Sequence, residues 1–331
     1  MVTVTAYEAL VESASRLTDA DAFGDIDDGN VAAASGLLER NRAALESARC
    51  ALSRRCVVPV RYEKSFFSDH CHDLSHLRNL GRAFRAEALL AATSGNYGVA
   101  ALHGIEMLDL GNATRRGGLV TDAQVGIVIS GMALDTLRKI RTDLDHATRG
   151  TLIDGLQRIE REREPFADIV AREREWDLAV GYEEKPCDFT SQDMGDPEKC
   201  GLSEDEQKGL LQLLQQLADL PQSDQRKMQL DQDNRSLATL RMLVVDLALR
   251  SWRDTSPTFP DSLVSLTPSP LRTLPLDPYT GRSFLYRPLN DTSFLLYSTG
   301  PKAFDGGGEF GPWPNVAAGC ADLCLDADDY W

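Results

Sequence analysis

The sequence predicts a mainly α protein that ends in a small α+β domain. Three observations carry that expectation. Apolar residues recur at the spacing of amphipathic helices through most of residues 6–219. A second long helical pattern, 224–253, is followed by two β-rich runs, SFLYRP and SFLLYS, separated by LNDT. Between these regions lie a polar connector, 180–202, and the helix-breaking DLPQS at 219–223. The expected arrangement is an antiparallel helical array over residues 1–219, then a domain over 220–331 in which a long helix packs on a short antiparallel sheet.

Taken in order, Asn30 to Arg54 reads as one long helix. The segment 72–92 places Leu74, Leu77, Gly81, Phe84 and Ala88 on one face of the next. Gly95-Asn96-Tyr97 is a turn and 98–112 is helical again. Thr121 with Gln124 forms a capping-box pattern for a helix carrying Val125, Ile129, Met132 and Leu137, in which Gly126 and Gly131 permit close packing. Pro165 separates two further helices, because proline is tolerated in a first turn but not in an interior. The charge run around it alternates sign at helical spacing and reads as a solvated face. Ser203 with Glu206 caps a helix over 204–219. In the helix 224–253, Leu237, Leu240, Val244, Leu247 and Trp252 form the expected buried side. Asp277-Pro278-Tyr279-Thr280-Gly281 is turn chemistry, with proline presetting φ and glycine free to make it positive. ADLCLD, 321–326, supplies an expected third strand.

The composition excludes some functions. The chain has 331 residues, with 42% hydrophobic and 26% charged residues and a net charge of −16. That balance fits a soluble globular chain with enough length for two cores. It disfavours sequence-independent nucleic-acid binding and a polybasic lipid contact, so the expected partner is protein. No apolar run reaches the roughly 20 residues that span a bilayer. The N-terminus has neither the basic nor the apolar region of a secretory signal, which taken literally implies a cytoplasmic chain. Seven cysteines, an odd number, are expected mostly as buried reduced thiols. Cys187 and Cys200 flank a turn-rich loop and could bridge in an oxidising compartment. Cys50/Cys56 and Cys320/Cys324 are also close in sequence.

Two resemblances add to this. GNYGVAALHGIEMLDL, 95–110, resembles the second helix of a tetratricopeptide repeat, with Gly95, Tyr97 and Ala100 on its glycine, aromatic and alanine positions. It covers half of one unit and does not recur, so it implies a helix hairpin and not an array. Residues 237–326 resemble the periplasmic domain of the major pseudopilin of type II secretion. The matching elements are Phe259-Pro260, Leu263/Leu266, Leu274-Pro275, Asp277-Pro278-Tyr279, Gly281, Tyr286, Tyr297-Ser298-x-Gly300 with its glycine-rich loop, and Ala321-Asp322-Leu323.

That resemblance implies a Ca2+ site in the loop at Gly306-Gly307-Gly308, because glycines let carboxylates and carbonyls converge on a hard cation. Asp322 matches the family's aspartate before the last strand. Lys302 stands where the loop aspartate belongs, which leaves Asp305 to replace it, with Glu309 beside it. The family's cleaved leader and apolar polymerising helix have no counterpart here, so the expected role is not that of a filament subunit. The layout resembles uncharacterised bacterial proteins with a helical region ahead of such a tail, which implies the cell envelope.

SDHCHDLSH, 68–76, packs three of the five histidines together. His72-Asp73-x-x-His76 is close to the His-Glu-x-x-His motif of zinc peptidases, with His70 adjacent. The central residue is Asp, no third ligand follows, and both histidines lie off the Leu74/Leu77/Phe84 stripe. Exposed helix-start residues are therefore the expectation. His103 and His146 read as lone helical histidines. No nucleophile elbow or phosphate-binding glycine loop is present. Three readings stay open: a non-enzymatic scaffold with a pseudopilin-like, Ca2+-stabilised tail; a helical interaction module with a purely structural tail; and a metal-dependent hydrolase using His70, His72 and His76.

Overall fold

The computed structural model describes residues 4–27, 29–181, 222–302, 305–308 and 322–326. The expected helix 204–219, most of the connector 180–202, Cys187, Cys200, Cys320 and Glu309 lie outside them. The described residues form eight α-helices and one small antiparallel sheet, so the chain is mainly α with a small α+β element near its end. No described helix is long and apolar enough to cross a membrane.

Helix α1 (Ala6–Ser15) starts at Thr5, whose hydroxyl accepts from the Glu8 amide while the Glu8 carboxylate accepts from the Thr5 amide. This reciprocal box satisfies donors that a helix start leaves open. Helix α2 (Ala34–Leu52) follows a 3-10 turn at Val31–Ala33. Helix α3 (Phe66–Thr93) buries the whole predicted stripe, Leu74, Leu77, Gly81, Phe84 and Ala88. Gly95 takes φ +75°, a conformation that costs other residues more, and the chain reverses into α4 (Tyr97–Arg115) to close the expected helix hairpin.

Helix α5 (Val120–Ile140) begins earlier than the Thr121/Gln124 pattern suggests. Thr121 is already helical, and the cap is made by Asp122, whose carboxylate accepts from the Leu119 amide at 2.7 Å. The expected box is therefore not the one used. Helices α4 and α5 pack closely: a Cβ on Gly126 would lie 2.6 Å from the Gly111 carbonyl oxygen. Helices α6 (His146–Glu162) and α7 (Phe166–Val180) flank Pro165 as predicted.

Helix α8 (Gln222–Thr255) departs from the one-sided expectation. Every residue from Ala238 to Leu249 except Arg241 is buried. LATLRMLVVDLAL is buried on nearly all sides, with its Asp246 held by Arg141 and Arg250, which suits a helix surrounded by others. It packs against α5 and α6 and against the sheet. Strands β1 (Leu285–Asn290) and β2 (Ser293–Tyr297) pair antiparallel, with Tyr286 opposite Leu296. Phe294 meets Phe259 edge-on, with ring centroids 4.9 Å apart. Asp277 accepts from the Tyr279 and Gly281 amides, through side chain and carbonyl respectively, so the predicted turn forms, with Gly281 at φ +67°.

The expected third strand shrinks to one bridge, Ser298 to Leu323, with bonds of 2.9 and 2.8 Å. Beyond it the chain leaves the sheet edge for α5. Arg138 donates to the Leu325 carbonyl at 3.2 Å, and Arg141 pairs with Asp326. One connected apolar core takes in Leu10, Phe84, Leu137, Leu156, Leu247 and Leu296, so residues on both sides of 219–223 share it. Cys56 and Cys324 are buried, Cys71 is half-buried and Cys50 is exposed, so the expectation of buried reduced thiols holds only in part among the described cysteines.

Candidate functional site

Sequence separates Asp305 from Asp322, and the fold brings both to the glycine loop. The Ser298–Leu323 bridge fixes one side of it. Asp322 is 4% exposed and accepts from the amides of Gly306 (3.4 Å) and Gly308 (2.9 Å). Asp305 accepts from the Tyr297 hydroxyl and the Gly307 amide, both at 2.8 Å. Gly307 and Gly308 have φ of +78° and +82°, which turns their amides toward the carboxylates. A Cβ on Gly306 would lie 3.1 Å from Asp322 Oδ2, a tight contact that the carboxylate would have to relieve by shifting a few tenths of an ångström. Partial burial, then the bond to Asp305, pushes the Tyr297 phenol up to about 12. Beneath the loop, Ser298 donates to Asp277 at 2.9 Å and accepts from the Gly300 amide. Lys302 ends the 3-10 turn Gly300–Lys302.

The histidine cluster is split by the first turns of α3. His72 is exposed and His76 half-buried. His70 is 6% exposed and faces inward, its Nε2 2.5 Å from Asp122 Oδ1 and its Nδ1 3.5 Å from Asp73 Oδ2. The Phe66 ring stacks on it at 4.8 Å. Burial opposes the imidazolium, but the bonds to Asp122 and Asp73 outweigh it and raise His70 to about 9. Tyr7 lies alongside, and its buried hydroxyl has no hydrogen-bond partner among the described residues. The three histidines thus do not converge on one point, and the carboxylate in the general-base position of the peptidase-like motif serves His70 instead. Asp122 has three duties at once: it caps α5, holds His70, and packs against Gly118, where a Cβ would collide with it.

A different group does converge. Glu87 on α3 and His103 and Glu106 on α4 place one ligand atom each within 4.8 Å of one another, the only such trio among the described residues. Arg49, in the last turn of α2, reaches into it. Its Nε donates to Glu106 at 2.9 Å, its Nη2 pairs with Glu87, and its guanidinium lies 5.1 Å from the Phe84 ring centroid. His103 Nδ1 is 2.8 Å from Glu106 Oε2. Burial raises the Glu87 carboxyl above the usual range. Burial acts the same way on Glu106, but His103 and Arg49 together bring it below. Reading His103 as a lone histidine missed this group. Its only sequence trace is His103-x-x-Glu106 on one helical face, because Glu87 and Arg49 arrive from other helices.

The charge run around Pro165 is a solvated face only in part: Arg161, Glu162, Arg174 and Glu175 are exposed, whereas Arg163, Glu164, Arg172 and Glu173 are drawn inward. Arg163 is buried and donates to Asp233 at 2.7 Å, where Arg115 also donates at 2.8 Å. Burial and the neighbouring Arg115 charge pull Arg163 down to about 10. Glu164 pairs with Arg172 and accepts from the Gly117 amide, and Glu173 pairs with Arg226 at 2.6 Å. These contacts tie α4, α6, α7 and α8 together. No protein-family model matches the chain, and comparison with curated proteins and with solved structures returns no match.

Proposed function

We propose that the chain is a non-enzymatic bacterial scaffold or interaction protein whose helical body carries a pseudopilin-like C-terminal unit stabilised by Ca2+. The observation that carries this reading is the meeting of Asp305 and Asp322 at a loop of bare glycines. Two fixed carboxylates offer a hard cation anionic oxygens, and backbone carbonyls of the loop can complete the shell. The continuous core and the pairing of Arg141 with both Asp246 and Asp326 support a tail docked to the body. A net charge of −16 fits a protein partner better than a nucleic acid.

A second reading has its own observation. Each carboxylate already accepts from two donors, so the loop closes on itself with ordinary hydrogen bonds. On that reading the tail is purely structural and the helices are an interaction module. Metal analysis of purified protein, paired with melting in calcium or chelator, separates the two. About one calcium per chain, with a melting point lowered by chelation, is expected. No calcium and superimposable melts leave self-closure. Zinc whose retention needs His72 and His76 would return the hydrolase.

A further inference from the structure

We propose that Glu87, His103 and Glu106 form a binding site for a divalent first-row transition cation, with Arg49 as a displaceable gate. The three ligand atoms lie within 4.8 Å of one another on two packed helices, so the set is already assembled. Two carboxylates and one imidazole are the ligand types that such ions take, and a pure calcium site would not need the imidazole.

Arg49 occupies the group imperfectly, in two respects. Its single positive charge faces two half-buried carboxylates, with side-chain exposures of 18% for Glu87 and 19% for Glu106. Arg49 alone balances only one of them. In addition, His103 Nδ1 lies 2.8 Å from a Glu106 oxygen and 3.4 Å from Arg49 Nη2. One ring nitrogen either donates to the carboxylate or accepts from the guanidinium; it cannot do both. A divalent cation removes both conflicts. It matches the two negative charges and takes the Nδ1 lone pair. Arg49 is the group best placed to yield: its side chain is 27% exposed, the most open of the four.

The test is a cobalt(II) titration of the full chain, read by visible absorption and by calorimetry, then repeated with zinc. One equivalent should bind. Glu87→Gln and His103→Asn, both near-isosteric, should each weaken it by more than the roughly 10–100-fold that loss of an outer-shell partner costs. Arg49→Gln should tighten it. Asp322→Asn should leave it unchanged, which keeps this site distinct from the calcium loop. Circular dichroism of each variant checks its fold, and a loss seen in only one of the two ligand variants would overturn the assignment. So would cobalt binding that survives in both, since the ion would then sit elsewhere. Binding by Arg49→Gln alone would identify Arg49 as a permanent occupant, and binding by no form would show that the trio takes no metal; either result ends the proposal.

Discussion

Asp233 is the residue whose loss should harm the fold most for its size. It sits between two buried guanidinium groups, Arg115 at 2.8 Å and Arg163 at 2.7 Å, with side-chain exposures of 1% and 8%. Asp233→Asn keeps the shape but removes the charge, leaving two cations facing each other inside the protein. Breaking a buried pair in this way costs about 3–5 kcal/mol, because the stranded charge cannot return to water. With about 2.1 cal/mol/K of unfolding entropy per residue, a chain of this length loses about 0.7 kcal/mol per degree at its midpoint, so the midpoint should fall by about 4–7 °C. Differential scanning calorimetry reads this directly, with exposed Asp154→Asn as the control expected within about 0.5 kcal/mol. The deficit should persist at 1 M salt, since buried charges are screened little. Arg163→Met in the same background should recover part of it, because only one cation then stays unpaired. A midpoint within a degree of the parent, or a loss that salt erases, would mean that Arg163 is solvated after all.

Other outcomes follow from single contacts. Gly126→Ala puts a Cβ 2.6 Å from the Gly111 carbonyl, so the helices must part, at a cost of about 1–3 kcal/mol in urea unfolding. His70 has a folded pKa of about 9, above its ordinary 6.5, so its contribution is whole below about pH 6.5 and is lost as pH rises through 9. Stability measured across that window should fall by about 3 kcal/mol, and His70→Gln should flatten the slope; an unchanged slope in the variant places the titrating group elsewhere. His72→Ala with His76→Ala should shift stability by only about 0.5 kcal/mol, and a large drop accompanied by zinc loss would contradict the split cluster.

What was legible in the sequence was what local chemistry decides. The α3 stripe, the Gly95 reversal, the Pro165 break, the Asp277–Gly281 turn and the hairpin all depend on residues within a few positions of one another. What was not legible depended on distant partners. A run of alternating charges has the same spacing whether Arg163 meets water or meets Asp233 across the fold. The α8 pattern looks one-sided until α5, α6 and the sheet close around it. ADLCLD looks like a strand, but Arg138 and Arg141 draw its end away to α5. His103 looked solitary for the same reason: its neighbours Arg49 and Glu87 lie on α2 and α3. No local pattern joins Asp305 and Asp322; the expectation that both serve one loop comes from the family likeness, and in the fold each accepts from its glycine amides.

Calcium-dependent melting of the full chain is the most direct test of the glycine loop as a calcium site. An ion held by Asp305, Asp322 and the glycine backbone binds the folded loop and not the unfolded chain. Stability must then rise with calcium, by about 2.7 kcal/mol at a hundredfold excess over the dissociation constant. Magnesium should not substitute, because it demands tighter octahedral geometry, and Asp322→Ala should abolish the response. Coincident melts in calcium and in chelator, for parent and variant alike, would rule out the calcium site and leave the loop closed by its own hydrogen bonds.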